Sequence, residues 1–207
     1  TRYGTVTGVQ TCALPIYEAT ALLLDQVVAA EGGAVTVFTT GDNAYPDGTA
    51  ADFADYDEPT WGRHKALTRP SPGSHDYHVP GAAGYFQYFG ASAGDSSAGY
   101  YGYDVGDWHL IALNSEISMS AGSAQEQWLR ADLAATTAPC VLAYLHRPRF
   151  SSSSNHGSQP GTAPLFEALY EAGAEVVVGG HDHVYERFAP QAPDGAADPA
   201  EIGRAHV

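Results

Sequence analysis

The chain has 207 residues, of which 44% are hydrophobic and 16% are charged, and its formal net charge is −15 at pH 7. This length and composition predict one folded domain with a substantial core and exclude a disordered chain. The negative charge disfavours a surface for nucleic acid or anionic membranes, which needs basic patches. No apolar run is long enough to cross a bilayer, so we expect neither kind of partner.

The two ends of the chain look unrelated to any fold. One codon choice for residues 202–207 (IGRAHV) is the reverse complement of one codon choice for residues 11–16 (TCALPI). Ligated sequencing adapters produce such a relation. We therefore interpret residues 1–16 and 202–207 as adapter-derived, and residues 17–200 as one native domain taken from a longer protein.

Helical and strand patterns alternate in the first half of the chain. Residues 18–30 carry apolar side chains at helical spacing, and residues 34–39 form a short β-branched run that predicts a buried strand. Residues 53–67 predict helix with a break at Pro59. Residues 70–80 are rich in turn formers and predict a loop.

The second half continues this alternation. Residues 100–104 and 108–114 flank a short turn and predict a β-hairpin. Residues 123–134 predict a helix that begins with a Ser-x-x-Glu capping pattern. The later elements are predicted as a strand at 140–145, a loop at 147–159, a helix at 164–172 and a strand at 175–178. Strands separated by helices predict an α/β fold, and the hairpin predicts a sheet that is not purely parallel.

Polar residues follow three of the predicted apolar strands. Asp42 comes after the first, His146 follows a later one, and His181 and His183 follow the last. Open α/β sheets place their sites at the carboxyl ends of strands, and imidazoles and carboxylates are common metal ligands. A fourth polar loop, GSHD, lies at 73–76. Together these four loops predict a metal site, whereas the His-x-His pair alone would also fit a solvated turn.

The loops also match a known family. GDNAY begins at Gly41, GSHDY at Gly73 and GGHDHVYER at Gly179, with the strand-terminal His146 between the last two. In this order they resemble the calcineurin-like metallophosphoesterases, in particular the purple acid phosphatase branch, over residues 41–190. The resemblance implies a four-layer α/β/β/α sandwich of two mixed sheets, with a two-metal site at the strand ends.

The resemblance implies a set of metal ligands. Asp42 would bridge two ions of iron, zinc or manganese. His146 and His181 would bind one ion, and His183 would bind the other. Tyr45 stands where the purple acid phosphatase pattern has an iron-binding tyrosinate; the alternative is a packed loop aromatic side chain.

The resemblance also implies residues that act on the substrate. His75 corresponds to a histidine that stabilises phosphoryl oxygens or protonates the leaving alkoxide. Asp76 is expected to orient it, the alternative being a side chain that caps the loop. His156 and His78 are candidate substrate contacts, and the alternative for His156 is a solvated loop histidine.

Two departures from the family pattern affect the site. Ser74 replaces an asparagine ligand, and since a serine hydroxyl is a shorter and weaker ligand, one ion should bind less tightly. The family's first strand carries an aspartate ligand, but the corresponding region here is residues 1–16, and no acidic residue precedes Glu18. We therefore expect a fold without its native first strand and a site with an incomplete ligand set.

The implied function is hydrolysis of a small phosphomonoester by a hydroxide that two metal ions activate. The resemblance also leads us to expect secretion. Two alternatives stay open. One is a phosphodiesterase acting on nucleotides or lipid headgroups, and the other is a non-catalytic metal-binding domain.

Overall fold

The computed structural model describes residues 14–32, 35–198 and 205–206. Most of the predicted adapter-derived ends, and the region of the family's first strand, therefore lie outside the described residues. Residues 14–16 form the first turn of a helix, and Ala205–His206 form a short strand. Within the described residues, no helix combines the length and apolar character needed to cross a bilayer.

Within the described part of the chain, the smaller sheet has two parallel strands, β1 (Val37–Thr40) and β2 (Thr68–Ser71), with Thr39 opposite Pro70. Strand β1 confirms the first predicted strand. Strand β2 corrects the prediction that residues 70–80 are loop throughout. The sequence pattern did not predict this strand because a proline usually ends a strand. Among the described strands β2 pairs with β1 alone, so Pro70 lies on an edge strand, where a missing N–H need not break a ladder.

The larger sheet has the described strand order β3-β4-β5-β6-β7. The pair β3 (Tyr101–Val105) and β4 (Trp108–Ala112) is antiparallel, which confirms the predicted hairpin. The strands β4, β5 (Cys140–Tyr144), β6 (Val176–Val178) and β7 (Ala205–His206) run parallel. The sheet is therefore mixed, as predicted.

In the described residues, five α-helical segments lie between and beside the strands. They are α1 (Leu14–Ala30), α2 (Ala50–Asp52, continued as a π-helix over Phe53–Asp57), α3 (Ala83–Phe89), α4 (Ala124–Ala135) and α5 (Ala163–Glu171). Short 3₁₀ turns cover Trp61–Leu67, Asp76–His78, Pro80–Ala82, Gly90–Ala93 and Pro160–Thr162. Ser123 caps α4 by accepting a hydrogen bond from the Glu126 N–H. The Glu126 carboxylate accepts from Gly122 instead of Ser123, so half of the predicted capping box forms.

The larger sheet buries both of its faces because side chains alternate along each strand. Ile111 and Val141 face helices α4 and α5, whose Leu129 and Leu169 complete one apolar cluster. Leu110, Leu142 and Tyr144 face the opposite way and pack with Phe38 and Val178. Phe38 belongs to β1, so this second cluster joins the two sheets. The predicted α/β fold with two sheets and helices is thus confirmed.

His109 of β4 is buried between two carboxylates. Its Nδ1 lies 2.7 Å from Asp104 Oδ1, and its Nε2 lies 2.8 Å from Asp132 Oδ2 of α4. Burial disfavours the charged ring, but the hydrogen bonds to Asp132 and Asp104 outweigh it and raise the pKa of His109. The charged ring therefore ties the hairpin to α4.

This contact predicts a pH-dependent stability. Because the folded-state pKa of His109 is raised, its stabilising contribution is fully present below the unfolded pKa of about 6.5 and is lost as pH rises through the folded pKa. We expect the free energy of unfolding, measured by urea denaturation, to fall over that interval. His109→Gln should flatten the fall, whereas His78→Gln, at a half-exposed ring, should not. Equal pH slopes in wild type and His109→Gln would contradict the prediction.

Candidate metal centre

Three of the predicted ligand loops meet at one edge of the molecule. Asp42 follows β1, His146 follows β5 and His181 follows β6. Their ligand atoms all lie within 4.8 Å of one another. β5 and β6 are parallel neighbours, and the end of β1 is tied to them by a 2.9 Å contact between His146 Nδ1 and the Thr40 carbonyl oxygen. The strand ends thus bring together residues that are far apart in sequence.

Unusual backbone conformations mark the same residues. In the described part of the chain, four non-glycine residues have positive φ, and three of them are Asp42 (54°), His181 (72°) and His183 (52°). Such conformations are unfavourable for most side chains and cluster at functional sites. A side chain on Gly73 would place its Cβ 2.2 Å from the Asp42 nitrogen, so Asp42 can hold this position only against a glycine.

The carboxylate of Asp42 is 4% exposed, and its two oxygens face different neighbours. Oδ1 lies 3.3 Å from His146 Nε2 and accepts hydrogen bonds from the His75 N–H at 2.8 Å and the Ser74 hydroxyl at 3.4 Å. Oδ2 accepts a 3.1 Å hydrogen bond from the Tyr45 hydroxyl. One carboxylate therefore borders two separate groups of side chains.

The first group consists of His146, His181 and Ser74. The Thr40 carbonyl can only accept, so His146 Nδ1 carries the proton and Nε2 presents a lone pair. This Nε2 atom lies 3.0 Å from His181 Nδ1 and 3.2 Å from the Ser74 hydroxyl oxygen. Two ligands about 2.1 Å from one ion at a tetrahedral angle lie about 3.4 Å apart, so this donor set fits a metal ion.

The electrostatic environment keeps these two imidazoles neutral. Burial lowers the pKa of His146. Burial, followed by the neighbouring His146, His156 and Arg147, lowers the pKa of His181 to about 4. Because a metal ion binds the neutral imidazole, a lowered pKa favours the form of both rings that can act as a ligand.

The second group consists of Tyr45 and His183. The Tyr45 hydroxyl lies 3.2 Å from His183 Nε2 and is only 3.1 Å from Asp42 Oδ2. Burial and the negative charge of Asp42 raise the pKa of Tyr45, so its phenol stays protonated unless a cation offsets both effects. Tyr45 is both a packed aromatic residue and a neighbour of the Asp42 carboxylate.

The remaining predicted histidines surround this centre. His75 has its Nδ1 against the Pro46 carbonyl oxygen, which leaves Nε2 available to a ligand. The ring of His78 lies 4.7 Å from that of His75, and its Nδ1 lies 3.0 Å from Asp47. The ring of His156 stacks on His181 with centroids 4.0 Å apart. The structure therefore places His156 and His75 beside the candidate ligands His181 and Tyr45, and His78 beside His75.

Asp76 points in another direction. It is fully buried, and its carboxylate accepts hydrogen bonds from the Gly73 N–H at 2.8 Å and from the Asn43 side chain at 2.9 Å and backbone at 3.2 Å. Burial and the nearby Asp42 raise the pKa of Asp76 to about 7. Its carboxylate thus joins the GDNAY and GSHDY loops and does not contact the His75 ring.

Sequence reasoning missed a cation beside the centre. Arg147 follows His146 directly, and its Nη1 lies 3.4 Å from His181 Nε2. Glu116 holds the guanidinium through two 2.8 Å hydrogen bonds. The sequence could have indicated Arg147, because it directly follows a histidine at the end of a strand. It could not have indicated Glu116, because that residue reaches the site only through the tertiary fold.

The calcineurin-like phosphoesterase family model matches residues 15–185. The chain belongs to the calcineurin-like phosphoesterase family. Within this family, the chain is 36% identical over 104 residues to probable purple acid phosphatase 20 of Arabidopsis thaliana. The aligned region covers 47% of the chain and 24% of that protein. Purple acid phosphatase 18 of the same plant is 27% identical over 177 residues, covering 75% of the chain and 40% of that protein. The predicted resemblance to the purple acid phosphatase branch is thus confirmed.

Solved structures show the same fold. A purple acid phosphatase from yellow lupin (Lupinus luteus) seeds superimposes with a TM-score of 0.75 at 17% identity, covering 90% of this chain and 38% of that one. GAP50 of Plasmodium, described as the anchor in the inner membrane complex, gives a TM-score of 0.64 at 14% identity, covering 96% and 67%. The chain spans about a quarter of the length of the first curated relatives it matches.

The position of Ser74 predicts unequal metal affinities. Its short hydroxyl lies 3.2 Å from His146 Nε2, and an asparagine there would supply an amide oxygen as a stronger neutral ligand. We expect Ser74→Asn to raise the weaker of two zinc affinities about tenfold, measured by calorimetric titration of metal-free protein. Ser96→Asn, on an exposed loop, is the control. An unchanged titration for Ser74→Asn would refute the prediction.

Proposed function

We propose that the chain is the catalytic core of a metal-dependent phosphomonoesterase of the acid phosphatase type. The observation that supports it best is the buried carboxylate of Asp42, whose two oxygens border two separate donor groups. A carboxylate in this arrangement suits two ions that share one ligand. The substrate would be a small phosphorylated molecule.

We assign the donors to the two ions as follows. His146, His181 and Ser74 would hold one ion, Tyr45 and His183 would hold the other, and Asp42 would bridge them. The metal identities, iron, zinc or manganese, stay predictions. When bound, the ions supply positive charge for phosphate oxygens and lower the pKa of a coordinated water.

The chain's own residues then orient the substrate and move a proton. The backbone N–H of His75 is bonded to Asp42, and Pro46 fixes the proton of the His75 ring on Nδ1. The ring is therefore held beside the bridging carboxylate with Nε2 free. In its protonated form Nε2 can donate to the oxygen of the leaving alcohol. His156, which stacks on His181, and His78, which lies beside His75, are our proposed substrate contacts.

Asp76 has a supporting role in this proposal. Its hydrogen bonds join the loop that carries Asp42 to the loop that carries His75. It therefore acts on the reaction through the position of His75 and not by contact with the substrate. The native domain limits of 17–200 and secretion of the protein also stay predictions.

A non-catalytic metal-binding domain is the second candidate. Ser74 favours it, because a weaker ligand set could leave one ion unbound. One relative, 29% identical over 96 residues, is described as probable inactive purple acid phosphatase 9 of Arabidopsis thaliana. Metal content and hydrolysis measured on the same sample distinguish the two candidates.

Hydrolysis of p-nitrophenyl phosphate tests the proposal. We expect activity that a chelator removes and added metal restores. His75→Ala should lower kcat by roughly 10²- to 10⁴-fold with unchanged metal content, since it removes the proton donor. His181→Ala should lower the metal content itself. His64→Gln, at a ring that contacts Asp25 of α1, is the control. A metal-loaded wild type without activity would favour the non-catalytic candidate.

The position of Tyr45 predicts a colour. A phenolate bound to ferric iron absorbs visible light, so the iron-loaded protein should be coloured and Tyr45→Phe should remove the band. Tyr185→Phe changes a tyrosine that is 82% exposed and should leave the spectrum intact. A colourless wild type that contains ferric iron would count against Tyr45 as a ligand.

A further inference from the structure

The loop at residues 151–158 places a histidine over the candidate metal centre. The His156 ring lies nearly parallel to that of His181, at 25° and a centroid distance of 4.0 Å. Arg147 Nη1 approaches the same His181 ring at Nε2. His181 is therefore flanked by two side chains that can donate hydrogen bonds to an anion, in a chain whose formal net charge is −15.

A buried carboxylate holds this loop in place. Asp182, between the two histidines of the GHDH block, is 3% exposed. Its Oδ1 accepts hydrogen bonds from the backbone N–H of His156 at 2.9 Å and of Gly157 at 3.2 Å. Gly157 has a φ of 66°, a conformation that glycine adopts without strain. Two successive amides thus converge on one oxygen, as in anion-binding backbone nests.

Carboxylates hold the loop at both of its ends. At the histidine end, Asp182 Oδ1 accepts the two amide hydrogen bonds of His156 and Gly157. At its other end, Glu186 accepts from the Ser152 backbone at 3.0 Å and from its hydroxyl.

We propose that Asp182 is a positioning residue that fixes His156 over the metal centre and thereby sets how tightly the site holds a phosphate group. Asp182 lies outside the three-residue ligand cluster, and its Oδ1 is occupied by the two amides. It acts through His156 and not by contact with substrate. This role rests on the phosphatase site proposed above.

Hydrogen exchange of the metal-free 207-residue chain tests the loop contact. We expect the amides of His156 and Gly157 to exchange about tenfold faster in Asp182→Ala than in wild type. Asp182→Asn keeps one acceptor oxygen, so its exchange rates should lie between those of wild type and Asp182→Ala. The Gly180 amide, bonded to the His146 carbonyl at 2.9 Å, should stay unchanged and report an intact GHDH turn. Unchanged exchange at His156 in Asp182→Ala would overturn the proposal.

Phosphate binding tests the consequence for the site. In zinc-loaded protein, Asp182→Ala should weaken the Kd for inorganic phosphate about tenfold while the zinc bound per chain stays the same. In a His156→Ala background, Asp182→Ala should have no further effect, because Asp182 acts through that ring. Asp194→Asn, at a carboxylate that accepts a local hydrogen bond from the Ala196 N–H, is the control.

The two experiments separate the inference from the function on which it rests. The positioning role would be overturned if Asp182→Ala weakened phosphate binding as much in the His156→Ala background as in wild type. A loss of zinc in Asp182→Ala would also overturn it. A zinc-loaded wild type that neither binds phosphate nor hydrolyses a phosphate ester would overturn the proposed function and the phosphate part of the inference. Amide exchange would still decide whether Asp182 holds the loop.

Discussion

The site depends on the hydrogen bonds that the buried Asp42 carboxylate accepts from the surrounding loops. Asp42 is held after β1 with a φ of 54°, and the absence of a side chain on Gly73 leaves room for its backbone and its Oδ1. From there Oδ1 fixes the His75 backbone and Oδ2 fixes the Tyr45 hydroxyl. The loops that carry these residues are consequently positioned relative to one buried anion, so a shift of Asp42 would disturb both donor groups at once.

The charges around Asp42 are arranged for a cation. Asp76 is a second buried carboxylate, and its pKa is raised to about 7, first by burial and then by Asp42. Burial leaves His146 and His181 neutral near neutral pH, so these rings offer lone pairs and not positive charge. Positive charge between these groups would lower the electrostatic energy of both carboxylates. The folded chain should therefore gain stability from bound metal ions through mass action.

The sequence predicted those features that depend on local pattern. Apolar runs ending in polar residues located Asp42, His146 and His181, because buried strands and their ends have a recognisable composition. Local pattern does not determine the direction in which a side chain points. The structure turns Asp76 away from the neighbouring His75, and the left-handed backbone at His181 and His183 has no signal in a His-Asp-His triplet. Strand β2 was missed for a similar reason, since an edge position that tolerates proline is decided by its partner strand.

Ser74 and two hydrogen-bond donors lie on the same half of the site. Ser74 lies beside His146, Arg147 reaches His181, and the loop held by Asp182 stacks His156 on that same ring. Tyr45 and His183 on the other half match the purple acid phosphatase pattern. A weaker ligand on the His146 and His181 side makes the ion there depend more on its surroundings. The donors contributed by Arg147 and His156 would then carry more of the binding of a phosphate group. Selectivity among phosphate esters should therefore be governed by this half and by the loop that covers it.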